Sequence, residues 1–363
     1  MPRLKMAVVG VGALGRHHAR ILGANAGVEL VAVVDSREEQ GRDVAAKCGA
    51  AWLADYRELL SRGTVDAVSV VVPTVAHWQV AGEFLRAGIP VLVEKPLAAN
   101  VEQARGLVAL AAANGALLQV GHIERFNPAF QAASQRIHQP KYIRAERTSA
   151  YSFRSTDIGA VHDLMIHDID LVLSLVRSPL RSVEAFGVTV IGGHEDAVQA
   201  RLRFDNGCIA DLTASRISPV VSRSLQAWSA GGCVTCDMHN REVRQFAPSD
   251  LLRCGPSPLE LARQPGADIE QLKKDVFGRF VPMETVPVDT AGPDALTCEL
   301  ADFVDCVATG RTPHVDGEQG LAAMQVADAI LKSVAHHKWD GHADGATGPS
   351  PQSSMDSARR SAA

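Results

Sequence analysis

Apolar and polar positions follow two rhythms along the chain. Residues 4–9, 28–34, 67–72, 91–93 and 117–120 are nearly unbroken runs rich in Val and Leu, as expected of strands buried on both faces. Between them, residues 13–22, 38–47, 76–87 and 101–114 carry apolar side chains near a 3.6-residue period, and Gly88 and Gly115 stand where helices usually stop. This alternation predicts a parallel sheet covered by helices on both faces. Past Pro128 the strand period becomes two. Residues 142–150, 183–191, 198–204, 208–215, 225–230 and 242–246 read as a mostly antiparallel sheet, with Asp205-Asn206-Gly207 as a hairpin turn. One helix is expected over 162–176 and two more over 295–308 and 317–336, the last two separated by Gly310-Arg311-Thr312-Pro313. The Pro-, Gly- and charge-rich stretch 249–288 reads as a long excursion or lid with a helix over 268–277. Residues beyond Asp340 lack periodicity. The expected organisation is a first domain over 1–122, a second over 123–340 and a disordered tail over 341–363.

Composition agrees with two domains. The chain has 363 residues, more than the ~150 of one typical domain, and is 46% apolar and 21% charged, enough to bury real cores. Its 36 Lys and Arg against 41 Asp and Glu give a net charge of -5, with no global attraction for nucleic acid or an anionic membrane. Any phosphate site must be local. No apolar run approaches the ~20 residues of a membrane span, and residues 1–5 lead straight into a strand, so a cytoplasmic location without a leader is expected. Seven Cys spread thinly suggest reduced thiols. Cys233 and Cys236, at i and i+3 in strand sequence, face opposite sides and read as packing residues rather than a zinc or redox pair.

The first turn reads Gly10-Val11-Gly12-Ala13-Leu14-Gly15, directly after a strand and opening a helix. Gly10 permits the tight turn, Gly12 lets a pyrophosphate approach the backbone, and Gly15 lets the helix pack close to the sheet. Such a glycine turn alone could merely pack; strand, helix and acid together make it a dinucleotide site. The acid is Asp35, which ends the second strand, where a carboxylate can accept from both ribose hydroxyls and repels a 2′-phosphate. That favours NAD over NADP. Ser36 and Arg37 follow, and Arg37 could stack on adenine or meet a 2′-phosphate, so NADP stays as the lesser alternative.

Ligands of open parallel sheets bind beyond the carboxyl ends of the strands. Three such junctions carry chemistry: Pro73-Thr74-Val75-Ala76-His77, Glu94-Lys95-Pro96, and Gly121-His122-Ile123-Glu124-Arg125-Phe126-Asn127-Pro128. A lysine at a strand end can hydrogen-bond an alcohol in the crevice. In the second domain Asp163 and His167 lie four residues apart, on one helical face, with Asp168 and Asp170 beside them. An imidazole with a nearby acid can act as a general base near neutral pH; an exposed helical pair is the plainer alternative. Two carboxylates and one His without a metal-binding pattern give no case for metal.

In this order the motifs resemble the Gfo/Idh/MocA family of NAD(P)-dependent oxidoreductases over roughly residues 4–338. The resemblance implies a Rossmann domain of doubly wound parallel sheet, followed by an α/β domain whose open, mostly antiparallel sheet often forms the oligomer interface; in class terms, α/β plus α+β. A homodimer or homotetramer is expected. It implies that Lys95, Asp163 and His167 surround the substrate as catalytic residues, Lys95 and His167 nearest the reacting carbinol, while Thr74, His77, Glu94, Lys95 and His122 approach the nicotinamide half. Pro73 shapes that junction. Family members often carry a glycine run before the catalytic Asp and a Gly two residues after it; here only Gly159 remains of the run, and Met165 takes the second position. The stretches 121–128 and 163–170 are similar to members that oxidise the 3-hydroxyl of UDP-N-acetylglucosamine or its uronate, giving 3-keto sugars for lipid A or surface-glycan synthesis. Arg125, Asn127 and Arg154 are then substrate-binding candidates, and Lys141, Arg144 and Arg147 further cations for a diphosphate, unless they form a solvated strand face. A dehydrogenase of free sugars or inositols, and a non-catalytic NAD-binding regulator, are the competing readings.

Overall fold

The protein is described by a computed structural model covering residues 3–153, 157–191, 193–339, 341–342 and 346–349. Strand and helix alternate from the start: β1 (Leu4–Val9), α1 (Gly15–Ala24), β2 (Val28–Val34), α2 (Glu38–Cys48), β3 (Ala51–Leu53), α3 (Arg57–Arg62), β4 (Ala67–Val70), α4 (Thr74–Arg86), β5 (Val91–Glu94), α5 (Val101–Asn114) and β6 (Leu118–Gly121). They form a six-stranded sheet in the order β3-β2-β1-β4-β5-β6, with every pair parallel. The chain reverses direction across the sheet between β1 and β4, the switch point where a doubly wound fold opens a crevice. Continuous Val and Leu in the strands reflect burial on both faces; Met6, Val8, Val33 and Leu92 sit in one core. The elements β3 and α3 went unpredicted because three and six residues are too short to display a period. The fourth strand stops at Val70, two residues short of expectation.

Next come α6 (Pro128–Ser134), β7 (Tyr142–Thr148), a wide π turn at Val161–Met165 and α7 (Ile166–Val176). The strands β8 (Leu180–Val188), β9 (Ala197–Phe204), β10 (Ile209–Ser215), β11 (Ser222–Ser229), β12 (Gly232–Asp237) and β13 (Glu242–Phe246) follow. After α8 (Asp250–Cys254), α9 (Pro258–Ala262), α10 (Ile269–Asp275) and a second π turn, β14 (Met283–Val286) completes an eight-stranded sheet ordered β14-β13-β12-β11-β7-β10-β9-β8. Within this second sheet, among the described strands, only β7 and β10 pair in parallel. The stretch 249–288 is thus no simple excursion: it returns to supply the edge strand, pairing Val286 with Val243.

The chain closes with α11 (Ala295–Thr309) and α12 (Gly317–His336). Its two compact units differ from the expected domains. The first runs to Phe126 and regains Pro293–Asp328; the second takes Asn127–Gly292 and resumes at Ala329. Helix α11 belongs to the first unit because Leu300, Phe303 and Val304 join the core of Met6, Leu22 and Val33, a partnership that local periodicity cannot reveal. Part of the expected tail is ordered. Thr347 bridges to Lys338, and the Trp339 indole N–H donates to the Gly348 carbonyl at 2.8 Å. Among the described residues no helix is long and apolar enough to cross a membrane.

Candidate active site

The glycine turn has the geometry a dinucleotide needs. Gly10 has φ 87, and a Cβ there would strike the Val71 carbonyl; a Cβ at Gly15 would strike the Gly10 carbonyl. At Gly12 a Cβ would find only the Arg37 guanidinium, 3.6 Å away, so the backbone lies open to a ligand. Ala13 and Leu14 are exposed beside it, and Gly15 opens α1, whose first amides and dipole favour an anion. These residues fit the pyrophosphate of NAD.

Asp35 follows β2 and is buried to 9% exposure. Its Oδ2 accepts from the Val11 amide at 3.0 Å and from Gln40 Nε2 at 3.0 Å, while Oδ1 accepts from the Arg37 amide at 2.9 Å. The Arg37 Nε stands 3.5 Å from the same oxygen, on a side chain 67% exposed and able to swing away for a ribose hydroxyl. Ser36 is exposed next to it. Gln40 was invisible in the sequence; its Nε2 also donates to the Val11 carbonyl at 2.9 Å, tying glycine turn to ribose acid.

The junctions after β4, β5 and β6 are held by buried side chains. Pro73 precedes α4, and Thr74 opens it at 9% exposure. His77 is 1% exposed and its two ring nitrogens lie 2.9 Å from the Val72 and Pro96 carbonyls. The imidazole therefore clamps one junction loop to the next, at the strand end expected to face nicotinamide. Burial pushes its pKa down, although both carbonyls favour the cation. Glu94 is 7% exposed, its Oε2 accepting the Lys95 amide at 3.2 Å. Lys95 itself is half-buried and joined to Pro96 by a cis peptide bond. His122 and Arg125 are buried at and just after the end of β6.

In the second unit Asp163 and His167 are half-buried, Asp163 in the π turn and His167 in the first turn of α7. A wide turn of this kind is frequent at functional sites, and periodicity did not predict it. The Asp163 amide donates to the Gly159 carbonyl at 2.9 Å. Gly159 is required there, since a Cβ would strike the Glu195 carboxylate, which accepts the Val161 amide at 3.1 Å. Arg216 donates to the Ile158 carbonyl at 2.7 Å and to Asp196 at 2.8 Å, fastening the loop that leads to Asp163. Burial alone would raise the Asp196 pKa; the Ile191 and Val190 amides and Arg216 overcome it and hold the carboxyl below its ordinary value.

Several substrate candidates take other roles. Arg147 faces inward from β7 and forks onto Asp168 at 2.8 Å with both side chains buried, so it is no cation for a diphosphate. The strand period explains the correction: residues 143, 145 and 147 share the inner face, 142, 144 and 146 the outer. Arg144 lies on that outer face, 61% exposed and 3.5 Å from Glu146, and Lys141 is also exposed. Asn127 caps α6, its Oδ1 accepting from Ala129 at 3.0 Å and its Nδ2 donating to the Met238 carbonyl at 3.2 Å. Arg154 lies outside the described residues. Cys233 and Cys236 are both buried and unbridged on β12, and no group of three or more His, Cys, Asp or Glu among the described residues could hold a metal ion.

Known proteins share this pattern. Residues 4–122 match the oxidoreductase family with an NAD-binding Rossmann fold, and residues 129–229 match the GFO/IDH/MocA C-terminal domain. The UDP-N-acetylglucosamine 3-dehydrogenase of Acidithiobacillus ferrooxidans is 32% identical over 91% of this chain and 98% of its own. Its solved structure superposes with a TM-score of 0.79 at 31% identity, covering 92% of this chain and 98% of that one. The inositol 2-dehydrogenase of Agrobacterium fabrum is 35% identical over 90% of this chain and 93% of its own. With both halves matched and the glycine turn shaped for the cofactor, the chain belongs to the Gfo/Idh/MocA family of NAD-binding oxidoreductases.

Proposed function

We propose that the protein oxidises the 3-hydroxyl of a UDP-N-acetylglucosamine-type nucleotide sugar with NAD, giving a 3-keto sugar of the kind transaminated in lipid A or surface-glycan synthesis. The observation that carries this reading is the 32% identity along 98% of a relative named for that activity. NAD would rest on Gly10, Gly12 and Gly15 with its ribose on Asp35, and when bound it supplies the acceptor for the hydride leaving the carbinol carbon. Either His167 or Lys95 receives the hydroxyl proton, and Asp163 orients and charge-balances that pair. General base assistance is worth about 10² to 10⁴ in rate, and alignment of the reacting atoms at least as much again. The outer face of the eight-stranded sheet, carrying Tyr142, Arg144 and the 47%-exposed Trp228, is the surface through which a homodimer or homotetramer would assemble.

Free inositols are the second reading, favoured by the 35% identity to an inositol 2-dehydrogenase. NADH formation followed at 340 nm with UDP-N-acetylglucosamine, glucose and myo-inositol separates them. Reduction of NAD with the nucleotide sugar alone is expected; turnover only with the free polyols would transfer the assignment to the second reading.

A further inference from the structure

The glycine-turn helix and the lysine junction are joined inside the first unit by side chains that no step above uses. His18 projects from α1 three residues beyond Gly15 and is 0% exposed. Its Nδ1 shares a 2.9 Å hydrogen bond with Ser69 Oγ on β4, itself 0% exposed. Its Nε2 stands 3.1 Å from Glu94 Oε1 at the end of β5. The other Glu94 oxygen accepts the Lys95 amide at 3.2 Å. A run of polar contacts therefore leads from β4 through the cofactor helix to the backbone of Lys95.

The surroundings leave this carboxylate little freedom. A Cβ at Gly121 would lie 2.8 Å from Glu94 Cδ, so β6 presses on one side of it. On α11, Glu299 is 0% exposed, and neither of its carboxyl oxygens has a hydrogen-bond partner among the described residues. Burial first, then the charges of Glu94 and Asp302, push the Glu299 pKa well above its ordinary value. The His18 ring, with Nε2 3.1 Å from Oε1, is the imidazole contact on the Glu94 carboxylate.

We propose that His18 is a positioning residue for the dehydrogenation: acting through Glu94, it sets the backbone of Lys95 and thereby the point from which the side-chain amino group reaches substrate. The proposal rests on the reading of Lys95 as catalytic. Its test is a set of steady-state measurements on His18→Phe, His18→Gln, Glu94→Gln and the double variant His18→Phe/Glu94→Gln, with Lys95→Met as reference and NADH binding and melting recorded for each. His18→Phe should lower kcat by about 10- to 100-fold, the scale of a small misplacement of a reacting group, with KM for both substrates within about threefold. His18→Gln, whose amide keeps a polar group facing Glu94, should recover most of that loss. Glu94→Gln should cost as much as His18→Phe, and the double variant no more than Glu94→Gln alone.

An unchanged kcat in His18→Phe, or losses in His18→Phe and Glu94→Gln that simply multiply in their double, would overturn the proposal. So would losses of kcat that follow the melting temperature and NADH binding alone, which is the mark of scaffold damage. If His18→Phe does not fold, His18→Ala, which has no group to reach Glu94, takes its place in the single and in the double. Full turnover in Lys95→Met would instead remove the catalytic reading of the lysine, an outcome separate from any of these.

Discussion

In the second unit Arg147 meets Asp168 at 2.8 Å with side chains 4% and 2% exposed, and Arg216 meets Asp196 at the same distance; in the first, Glu299 is equally buried with no hydrogen-bond partner among the described residues. A guanidinium and a carboxylate that satisfy each other are rigid and chemically idle, which suits struts for the loop and helix that carry Asp163 and His167. A carboxyl without a partner lowers stability. Its presence near Glu94 marks a compartment kept polar against the folding preference, in keeping with the proton chemistry proposed for Lys95. Buried charge in the second unit is thus read as scaffold, and in the first as part of the working parts.

Lys95→Met sharpens this division with the largest effect. Turnover should fall at least about 10³-fold, the sum of lost proton transfer and alignment, while NADH binding by fluorescence titration and the melting temperature stay as they are. Asp168→Ala is the opposite case: it removes the carboxylate onto which the buried Arg147 forks and should cost about 3–5 kcal/mol in a urea unfolding curve. A loss below about 1 kcal/mol would show that the pair is not a strut.

Glu299→Gln should stabilise the protein, and more so as pH rises. The folded pKa is raised above the unfolded one, so what the protonated carboxyl contributes is fully present below its ordinary value of 4.5 and is lost as pH rises through the raised folded value. Gln has no proton to lose, so melting curves of the two proteins should coincide near pH 4 and diverge towards pH 8. Parallel curves would mean that Glu299 finds a counter-charge. Lys47→Ala gives the smallest effect, since its 2.6 Å contact with Asp43 is a solvated pair on α2; the melting temperature should change by no more than about 1 °C.

Much of the first unit was legible because its signals are local. The bounds of β1, β2 and α5 follow from runs of apolar residues and their flanking turns, and the glycine turn carries its function in its spacing. What escaped depends on residues far apart in the chain. Helix α11 was assigned to the second domain because its apolar face says that it packs, not against what. Arg147 looked like an available cation because alternation was not followed through to ask which face it occupies. His18 shares the inward face of α1 with Gly15, Ala19 and Leu22 and drew no reading; its contact with Glu94 spans 76 positions and could come only from coordinates. Gln40 and Glu299 had no signal at all, a surface-type amide and a mid-helix carboxylate whose roles arise from the sheet beside them.

The proposal on which the account turns is that Lys95 and His167 act on the same substrate hydroxyl. A double-mutant cycle on the rate of NADH formation in a single turnover tests it, using Lys95→Met, His167→Asn and the two combined. The account predicts that the double variant is no slower than about threefold below the slower single one, because either loss alone already disables the shared proton transfer. Losses that multiply would show two groups working independently, and would contradict it.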